Sequence, residues 1–376
     1  MRTTALVGSM IALGSGISVA QTTVSGNLDI SYRAVSNDTA GAGISSFRGF
    51  GKEAQINLAN KGKLNNGMDY AAGFSLEFDG NDLQAPSSSA GGNQSTMQGV
   101  HTEGFYLNFI SGNTTLHVGA DHIQNPDSHG LINPVGIGYI TPFGHNVAAS
   151  ATGAASGLYP TLTNSPYGAY GIGVIQAVPG IGRVSAYYAP SATDANGGPD
   201  IGNNASISNY ESTAESAIEI GFTGDLGVKG LTIQAFHNQR DAADRVASTT
   251  AGESKIKGTV LAGSYNFGQI TAAVDYRKME GGSKATAGVA GSSPDEEIKG
   301  KAASLSFAAT KDLSLGVVYG KADSNTKTAD EKIKIVAIGY NLGPVALNGE
   351  FTDVENNGGS TSADSKEFII KASTRF

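Results

Sequence analysis

The sequence lacks several features on which common protein classes depend. It contains no cysteine and no tryptophan. Without cysteine there is no disulfide framework, and any aromatic belt at a membrane surface must consist of tyrosine and phenylalanine. No run of about 20 apolar residues could span a membrane as a helix. There is no segment with a clear helical period, and no glycine-rich loop leads into a helix, so nothing indicates a phosphate-binding loop.

Apolar residues are scarce, and the net charge is negative. Hydrophobic residues make up 39% of the chain, glycine occurs 52 times, and the formal charge is −8 at pH 7. A chain with this charge is a poor partner for nucleic acid, which we therefore do not expect it to bind. The low apolar content favours walls in which apolar and polar residues alternate over a dense soluble core.

The first twenty residues have the composition of a secretory signal. Met1 and Arg2 form a short basic start, residues 5–17 are mostly small and apolar, and Ser18 and Ala20 occupy the two positions that a signal peptidase reads. We therefore predict a signal peptide at 1–20 and a single mature domain at 21–376.

The C-terminal segment is a two-faced strand that ends in an aromatic residue. One face carries Phe368, Ile370 and Phe376, whereas the other carries charged residues such as Glu367 and Lys371. This alternation is typical of the wall of a membrane barrel, with one face toward lipid and the other toward water. A half-buried strand of a soluble β-sandwich is the alternative.

Alternating segments of this kind follow one another along the whole mature chain. We predict about sixteen strands, an even number that suits a transmembrane antiparallel up-and-down β-barrel. They lie at 22–35, 50–60, 68–79, 99–111, 114–122, 168–178, 182–189, 214–224, 230–240, 256–267, 270–279, 299–309, 313–321, 332–342, 345–354 and 366–376. Tight turns, such as 268–269 and 343–344, alternate with long polar connections. This alternation indicates short periplasmic turns at one end and long external loops at the other.

The tight turns predict which residues face each other across a hairpin. With 268–269 as the turn, Tyr265 lies opposite Ala272 and Leu261 lies opposite Tyr276, so the apolar residues share one face. The other parity pairs Ala262 with Asp275. The turns at 179–181, 310–312 and 343–344 give the same separation, which predicts an apolar outer face and a wet inner face.

The inner face would carry the candidate pore-lining residues. They are Asp29, Arg33, Glu77, His117, Asp121, Arg183, Glu219, Arg240, Asp275, Arg277, Glu350, Lys371 and Arg375. The longest connection, 123–167, adds Asp127. It also contains five prolines and apolar anchors such as Leu131 and Ile132, which suggest that it packs against the inside of the wall.

This pattern of a signal peptide, about sixteen amphipathic strands, a long third external loop and a terminal Phe376 resembles the bacterial trimeric general porins. The resemblance implies a homotrimer in the outer membrane of a Gram-negative bacterium, with Phe376 as a signal for the barrel-assembly machinery. It also implies that loop 123–167 folds into the lumen and constricts it. That family usually places loop carboxylates opposite an arginine cluster. Here Asp127 is the loop's one carboxylate, and the wall arginines are dispersed, so we expect a nearly neutral, partly apolar constriction.

We therefore expect an outer-membrane porin through which small hydrophilic solutes and ions diffuse passively, with at most weak cation preference. A substrate-selective porin for a sugar or small acid is the first alternative, and a secreted soluble β-sandwich for binding or adhesion is the second. No nucleophile, base and orienting group assemble by spacing, so we expect no enzyme and no cofactor. At the external rim, Glu103 with His101 and His122, or the lysines and acids near the strand ends, could contact Ca²⁺ or lipopolysaccharide.

Overall fold

The protein forms one closed barrel of sixteen antiparallel strands. The computed structural model describes residues 21–37, 47–80, 100–119, 130–132, 170–190, 216–241, 255–281, 297–361 and 363–376. The strands are β1 (Gln21–Asn37), β2 (Phe47–Lys63), β3 (Asp69–Gly80), β4 (Val100–Ser111), β5 (Thr114–Gly119), β6 (Gly171–Val178), β7 (Gly182–Ala189), β8 (Ala217–Gly224), β9 (Leu231–Asp241), β10 (Lys255–Asn266), β11 (Ile270–Glu280), β12 (Glu297–Ala308), β13 (Leu313–Ser324), β14 (Glu331–Leu342), β15 (Val345–Glu355) and β16 (Ser365–Arg375).

Each strand pairs with its neighbours in the chain, and β16 pairs with β1 to close the sheet. The barrel of about sixteen strands is therefore confirmed. A β-sandwich is excluded because it needs two sheets packed face to face, whereas these strands form a single closed sheet. The predicted signal peptide at 1–20 lies outside the described residues.

Short connections follow the even-numbered strands, and longer ones follow most odd-numbered strands. The short ones include 112–113, 267–269 and 343–344, and they lie at the same end of the barrel as Gln21 and Arg375. Gly343 takes a φ of 71° in its turn and Gly268 a φ of 98°, backbone conformations that glycine adopts without steric cost. The predicted alternation of connection length is confirmed.

The pairing register confirms the predicted faces. Leu261 lies opposite Tyr276 and Ala262 opposite Asp275, and the hairpins at 179–181, 310–312 and 343–344 also pair as predicted. The two faces differ sharply in exposure: Val274 is 61% exposed, whereas its neighbour Asp275 is 4% exposed. The apolar residues on the exposed outer face are those that meet lipid in a membrane barrel.

A β-bulge in the pairing of β3 with β4 was not predicted. Gly73 pairs with Tyr106, but Ser75 pairs with Glu103, so two residues of β4 stand opposite one residue of β3. Gly104 lies in the bulge with a φ of 58°, the left-handed conformation that this type of bulge requires. The bulge changes the parity of β4, so the strand alternation cannot be extended from Tyr106 to Glu103.

The last residue, Phe376, meets β1 on the outer face. The backbone N–H of Gly26 donates to the carbonyl of Phe376 at 2.8 Å, and the N–H of Phe376 donates back at 3.0 Å. The Phe376 ring occupies the space that a Cβ on Gly26 would need. Because Gly26 has no side chain, it leaves room for the terminal aromatic ring to lie against β1. No helix within the described ranges is long and apolar enough to cross a membrane.

Candidate pore lining and constriction site

Two ion pairs join β16 to β1 on the inner face. Arg33 forms a two-pronged pair with Glu367, in which Nη2 donates to Oε2 at 3.1 Å and Nε donates to Oε1. The Lys371 Nζ lies 2.6 Å from Asp29 Oδ2. The register offsets the members of each pair diagonally across the two strands. Because the Glu367 side chain is only 1% exposed, its charge needs the arginine partner to be tolerated there.

A third inner-face ion pair lies on β11. Asp275 and Arg277 are two residues apart on one strand and therefore point to the same side. The Arg277 Nε donates to Asp275 Oδ1 at 2.9 Å, and both side chains are buried. The Arg277 guanidinium and the Asp275 carboxylate form a planar surface on the wall, which we call the platform, and their opposite charges cancel locally.

Gly130, from the connection that follows β5, lies against this platform. Its backbone N–H donates to Gln234 Oε1 on β9 at 2.8 Å. A Cβ on Gly130 would collide with Arg277 Nη2 and Asp275 Oδ2, and the glycine has a φ of +95°. The site therefore requires glycine for two reasons, close approach and backbone conformation. Although Gly130 follows β5 in the chain, it contacts the wall at β9 and β11.

The next two residues dock into an apolar part of the inner face. Ile132, 7% exposed, packs into a cluster that we call the inner apolar patch. The patch also contains Val35, Ala273, Met279, Ile298, Ala302, Val318, Ala322, Ile333, Ile335, Ala337 and Val354. Leu131 contacts both the patch and a second cluster of Phe236, Val260 and Ala262. Residues 130–132 are thus held by a hydrogen bond and by apolar packing.

The inner apolar patch was not predicted. Ile333 and Ile335 lie on a strand that has apolar residues on both faces, and the hairpin pairing assigned Val336 and Tyr340 to the outside. It did not reveal that the inner apolar residues of β11–β15 adjoin one another. The signal that could have identified the patch is the apolar character of both parities on β14, read with the anchors Leu131 and Ile132.

Other candidate lining residues form small polar groups on the inner face. His117 Nδ1 is 2.7 Å from Asn108 Oδ1, and its ring centroid is 6.0 Å from that of Tyr187. On the neighbouring wall, Asn238 donates to Glu219 Oε2 at 3.1 Å. His117, Asn238 and Glu219 are fully buried, so these groups contribute to the packing of the inner face.

The remaining predicted lining residues are more dispersed. Glu350, on β15, accepts a hydrogen bond from Thr352 at 3.1 Å, and Glu77 is buried on β3. Arg183 and Arg375 lie exposed near the short-turn end. Arg240 holds an inner-face register position opposite Ala217, although its side chain is not among those described. Asp121 and Asp127 lie outside the described residues, as does His122 of the rim prediction, while the side chains of His101 and Glu103 are not described.

Carboxylates dominate the buried charges of the described inner face. Seven buried carboxylates are found there: Asp29, Glu77, Glu219, Asp275, Glu331, Glu350 and Glu367. The buried cations are Arg277 and Lys371, and each forms an ion pair with a carboxylate. Among the buried charged groups of the described inner face, carboxylates therefore outnumber cations. Within the described ranges, no group of three or more His, Asp or Glu residues is arranged to hold a metal ion.

A family profile described as Gram-negative porin matches residues 3–359 of the chain. No curated protein sequence gives a significant match. Among solved structures, the chain is similar to an anion-selective porin from Comamonas acidovorans, with a TM-score of 0.64 and 15% identity over 95% of this chain and 100% of that one. It is also similar to in-vitro folded OmpT of Vibrio cholerae, with a TM-score of 0.59 and 12% identity over 100% of both chains. A mutant porin of Rh. blastica gives a TM-score of 0.56 and 13% identity over 95% of this chain and 100% of that one.

Proposed function

We propose, from the premise that this chain belongs to the Gram-negative porin family, that it lets small hydrophilic solutes and ions diffuse passively through its lumen. The chain is an integral β-barrel of the outer membrane and forms a channel across it. The observation that carries the proposal is the closed sheet with exposed apolar residues outside and charged residues inside. Such a barrel of sixteen strands is wide enough to hold an aqueous channel.

The test is electrical recording of the purified barrel in a planar lipid bilayer. We expect stepwise insertions with a conductance that rises in proportion to salt concentration, because a water-filled path conducts bulk ions. Sized neutral polymers should reduce the conductance only when they are small enough to enter. A folded, inserted barrel without ion conductance would contradict the proposal.

We also propose that loop 123–167 constricts the lumen. The support is the docking of residues 130–132 against β9–β14, held by the Gly130 hydrogen bond to Gln234 and by Ile132 in the inner apolar patch. A chain segment held there reduces the open cross-section. Deletion of residues around 131–160 should therefore raise single-channel conductance, and an unchanged conductance would argue against this role.

The candidate lining residues are proposed to give weak cation preference. This proposal is supported by the excess of buried carboxylates over buried cations on the described inner wall. Because Asp29, Asp275 and Glu367 each have a cationic partner, we expect the remaining field to be modest. We expect a small reversal potential of cation-selective sign across a salt gradient. Clear anion selectivity would contradict the assignment.

A substrate-selective porin for a sugar or a small acid is the second candidate. It is favoured by the apolar character of the docked segment, since Leu131 and Ile132 bring no charge to the constriction. The distinguishing measurement is a concentration-dependent block of ion current by the candidate solute. Equal, weak effects of solutes of similar size would leave the general porin as the better description.

Several further properties are proposed from family membership. We propose that the chain associates as a homotrimer, that residues 1–20 are a secretory signal, and that Phe376 is recognised by the barrel-assembly machinery. We also propose that lipopolysaccharide contacts the external rim and that the protein has no catalytic activity. The seating of Phe376 on Gly26 supports a role for the terminal residue in closure.

A further inference from the structure

The short-turn end of the barrel carries a group of cations that we call the cationic ring. Its members are Lys61, Lys63, Arg183 and Arg375. The two lysines end β2, Arg183 begins β7 next to the turn at 179–181, and Arg375 is the last residue of β16. All four are exposed. Because these strands are spread around the closed sheet, the cations surround the mouth of the barrel at this end.

The parity of the strands directs the cationic ring toward the lumen. Arg183 has the parity of the buried Tyr187, and Arg375 has the parity of the buried Lys371. The two lysines of β2 have the parity of the residue that stands opposite Asp29. Residues of one parity share a face of the sheet. The ring therefore belongs to the same inner face as the candidate pore-lining residues.

The other charges at the short-turn end neutralise the cationic ring only in part. Lys63 lies 2.5 Å from Asp69, whereas the other three members take part in none of the ion pairs found among the described residues. The turns 225–230 and 310–312 each contain one lysine and one aspartate. The terminal carboxylate belongs to Phe376, on the outer face. With all of these counted, six cations stand against four anionic groups at this end.

The balance of charge reverses farther along the strands from the short turns. The seven buried carboxylates of the inner face lie there, and the cations whose side chains are described in that section are Arg33, Arg277 and Lys371. The register adds four charged residues at inner-face positions, namely Glu53, Asp79, Glu103 and Arg240. We call this part of the inner face the carboxylate section.

The charges near the long connections do not extend the cationic ring. On β12–β15 they have outer parity, both lysines such as Lys299 and Lys334 and carboxylates such as Asp323 and Asp353. They therefore lie on the other side of the wall. In the sequence, residues 190–216, which connect β7 to β8, include four acidic residues and no lysine or arginine. The inner face thus carries opposite charge toward its two ends.

Two oppositely charged sections in series make the accumulation of ions depend on the direction of the voltage. Fixed charges raise the local concentration of counterions, so chloride is enriched at the cationic ring and potassium along the carboxylate section. When the side of the long connections is positive, potassium enters through the carboxylate section and chloride enters through the ring. Both ions then accumulate where the sections meet. The opposite voltage draws both ions away from that zone and lowers its conductance.

We propose that the channel rectifies, with the cationic ring as an anion-accepting mouth in series with the carboxylate section. The current is larger when the side of the long connections is positive. Because the Debye length is about 30 Å at about 10 mM salt and about 3 Å at about 1 M, the fixed charges act across the lumen only in dilute salt. We expect a current ratio between the two polarities of about 1.5–2 in dilute salt and about 1 in concentrated salt. This inference rests on the proposed channel function.

The test is the recording of single barrels in KCl at about 10 mM and at about 1 M, with the orientation of each barrel determined. The chain contains no cysteine, so Asn65→Cys places a single thiol in the turn that follows β2. Biotin is attached to this thiol through a neutral linker. Streptavidin added to one chamber after each recording blocks the current only if the short-turn end faces that chamber. All variants are compared in this Asn65→Cys background.

Three triple variants separate the charge of the lumen from the charge of the whole molecule. The ring variant, K61Q/R183Q/R375Q, removes the members of the cationic ring that form no described ion pair. The outer-face control, K257Q/K301Q/K366Q, removes the same charge from outer-parity positions toward the long connections. The charge-conserving variant is K61R/R183K/R375K. In dilute salt the current ratio should fall to about 1 in the ring variant and keep its value in the other two.

Several results would overturn the inference. They are a ratio of 1 in the unchanged barrel in dilute salt, a larger current at the opposite polarity, and an undiminished ratio in the ring variant. An equal loss in the outer-face control would also overturn it, because rectification would then follow the net charge of the molecule. Concentrated salt separates this inference from the channel function. Absence of current there contradicts the channel itself, whereas a current there without rectification in dilute salt contradicts only the role of the ring. Heat-dependent gel mobility verifies that each variant is folded.

Discussion

Replacing Gly130 by alanine should release the docked segment from the barrel wall. The new Cβ would collide with the Arg277–Asp275 pair, and the backbone φ of +95° is unfavourable for alanine. Both effects act at the same residue whose N–H donates to Gln234. The wild-type contacts that oppose release are this hydrogen bond and the burial of Ile132.

The free energy that holds the segment docked is similar in size to the free energy that the alanine substitution costs. The hydrogen bond contributes about 1 kcal/mol and the burial of Ile132 about 2 kcal/mol, so docking is stabilised by about 3 kcal/mol and about 1% of the segments are undocked at any time. The unfavourable φ costs about 1–2 kcal/mol, and the collision with buried groups adds about 1 kcal/mol or more. The undocked fraction should therefore rise to roughly 15–50%.

The assay is single-channel recording, in which undocking should appear as a second, larger open level. Gly67→Ala is the matched control, because Gly67 has a φ of +84° but its Cβ position has no neighbour within 4 Å. That variant carries similar backbone strain without touching the docking site, so it should show one conductance level. If Gly130→Ala also shows only the wild-type level, the reasoning about docking is wrong.

Three further predictions address closure and the two faces of the wall. Glu367→Gln should destabilise the barrel by about 2 kcal/mol, because it leaves Arg33 without its ionised partner. The measurement is the urea midpoint of unfolding in lipid vesicles, which should fall. An unchanged midpoint would show that the ion pair contributes nothing to closure. Gly26→Ala should reduce the yield of folded barrel, because the new Cβ would take the place of the Phe376 ring. The yield is scored by heat-dependent gel mobility, and equal yields would contradict the importance of this contact. Val274→Lys should cost about 2–4 kcal/mol on the lipid face, whereas Ser306→Lys, at a partly buried inner-face position, should cost less in the same unfolding assay. The reverse order would mean that the faces are exchanged.

Comparison of particular residues shows what local patterning could and could not predict. The separation of Tyr276 from Asp275 follows from a two-residue period and one turn, so it could be predicted from a single hairpin. The bulge at Gly104 changes the parity within one strand, and the alternation Phe105, Leu107, Phe109 gives no warning of it. A bulge depends on the pairing of two strands rather than on either strand alone.

The candidate lining residues were predicted singly, and their partners were not. Asp29 and Lys371 lie near opposite ends of the chain, and the distance of 2.6 Å between their charged groups depends on the register with which β16 closes on β1. That register follows from the stagger of the whole barrel. The arginines are dispersed along the chain, and this spacing did not reveal that Arg33 and Arg277 each have a carboxylate beside them.

The sequence by itself determined that the chain forms a β-sheet wall with one apolar face and one polar face. Apolar and polar residues alternate with a period of two, and turns of unequal length separate the strands. Only the tertiary structure decided which residues meet across the closed sheet, including Gly130 with Gln234 and Asp29 with Lys371. The physical reason is one of range. The face of a residue is set by its immediate neighbours, whereas its partners are set by strand number, stagger and closure, which are properties of the complete barrel.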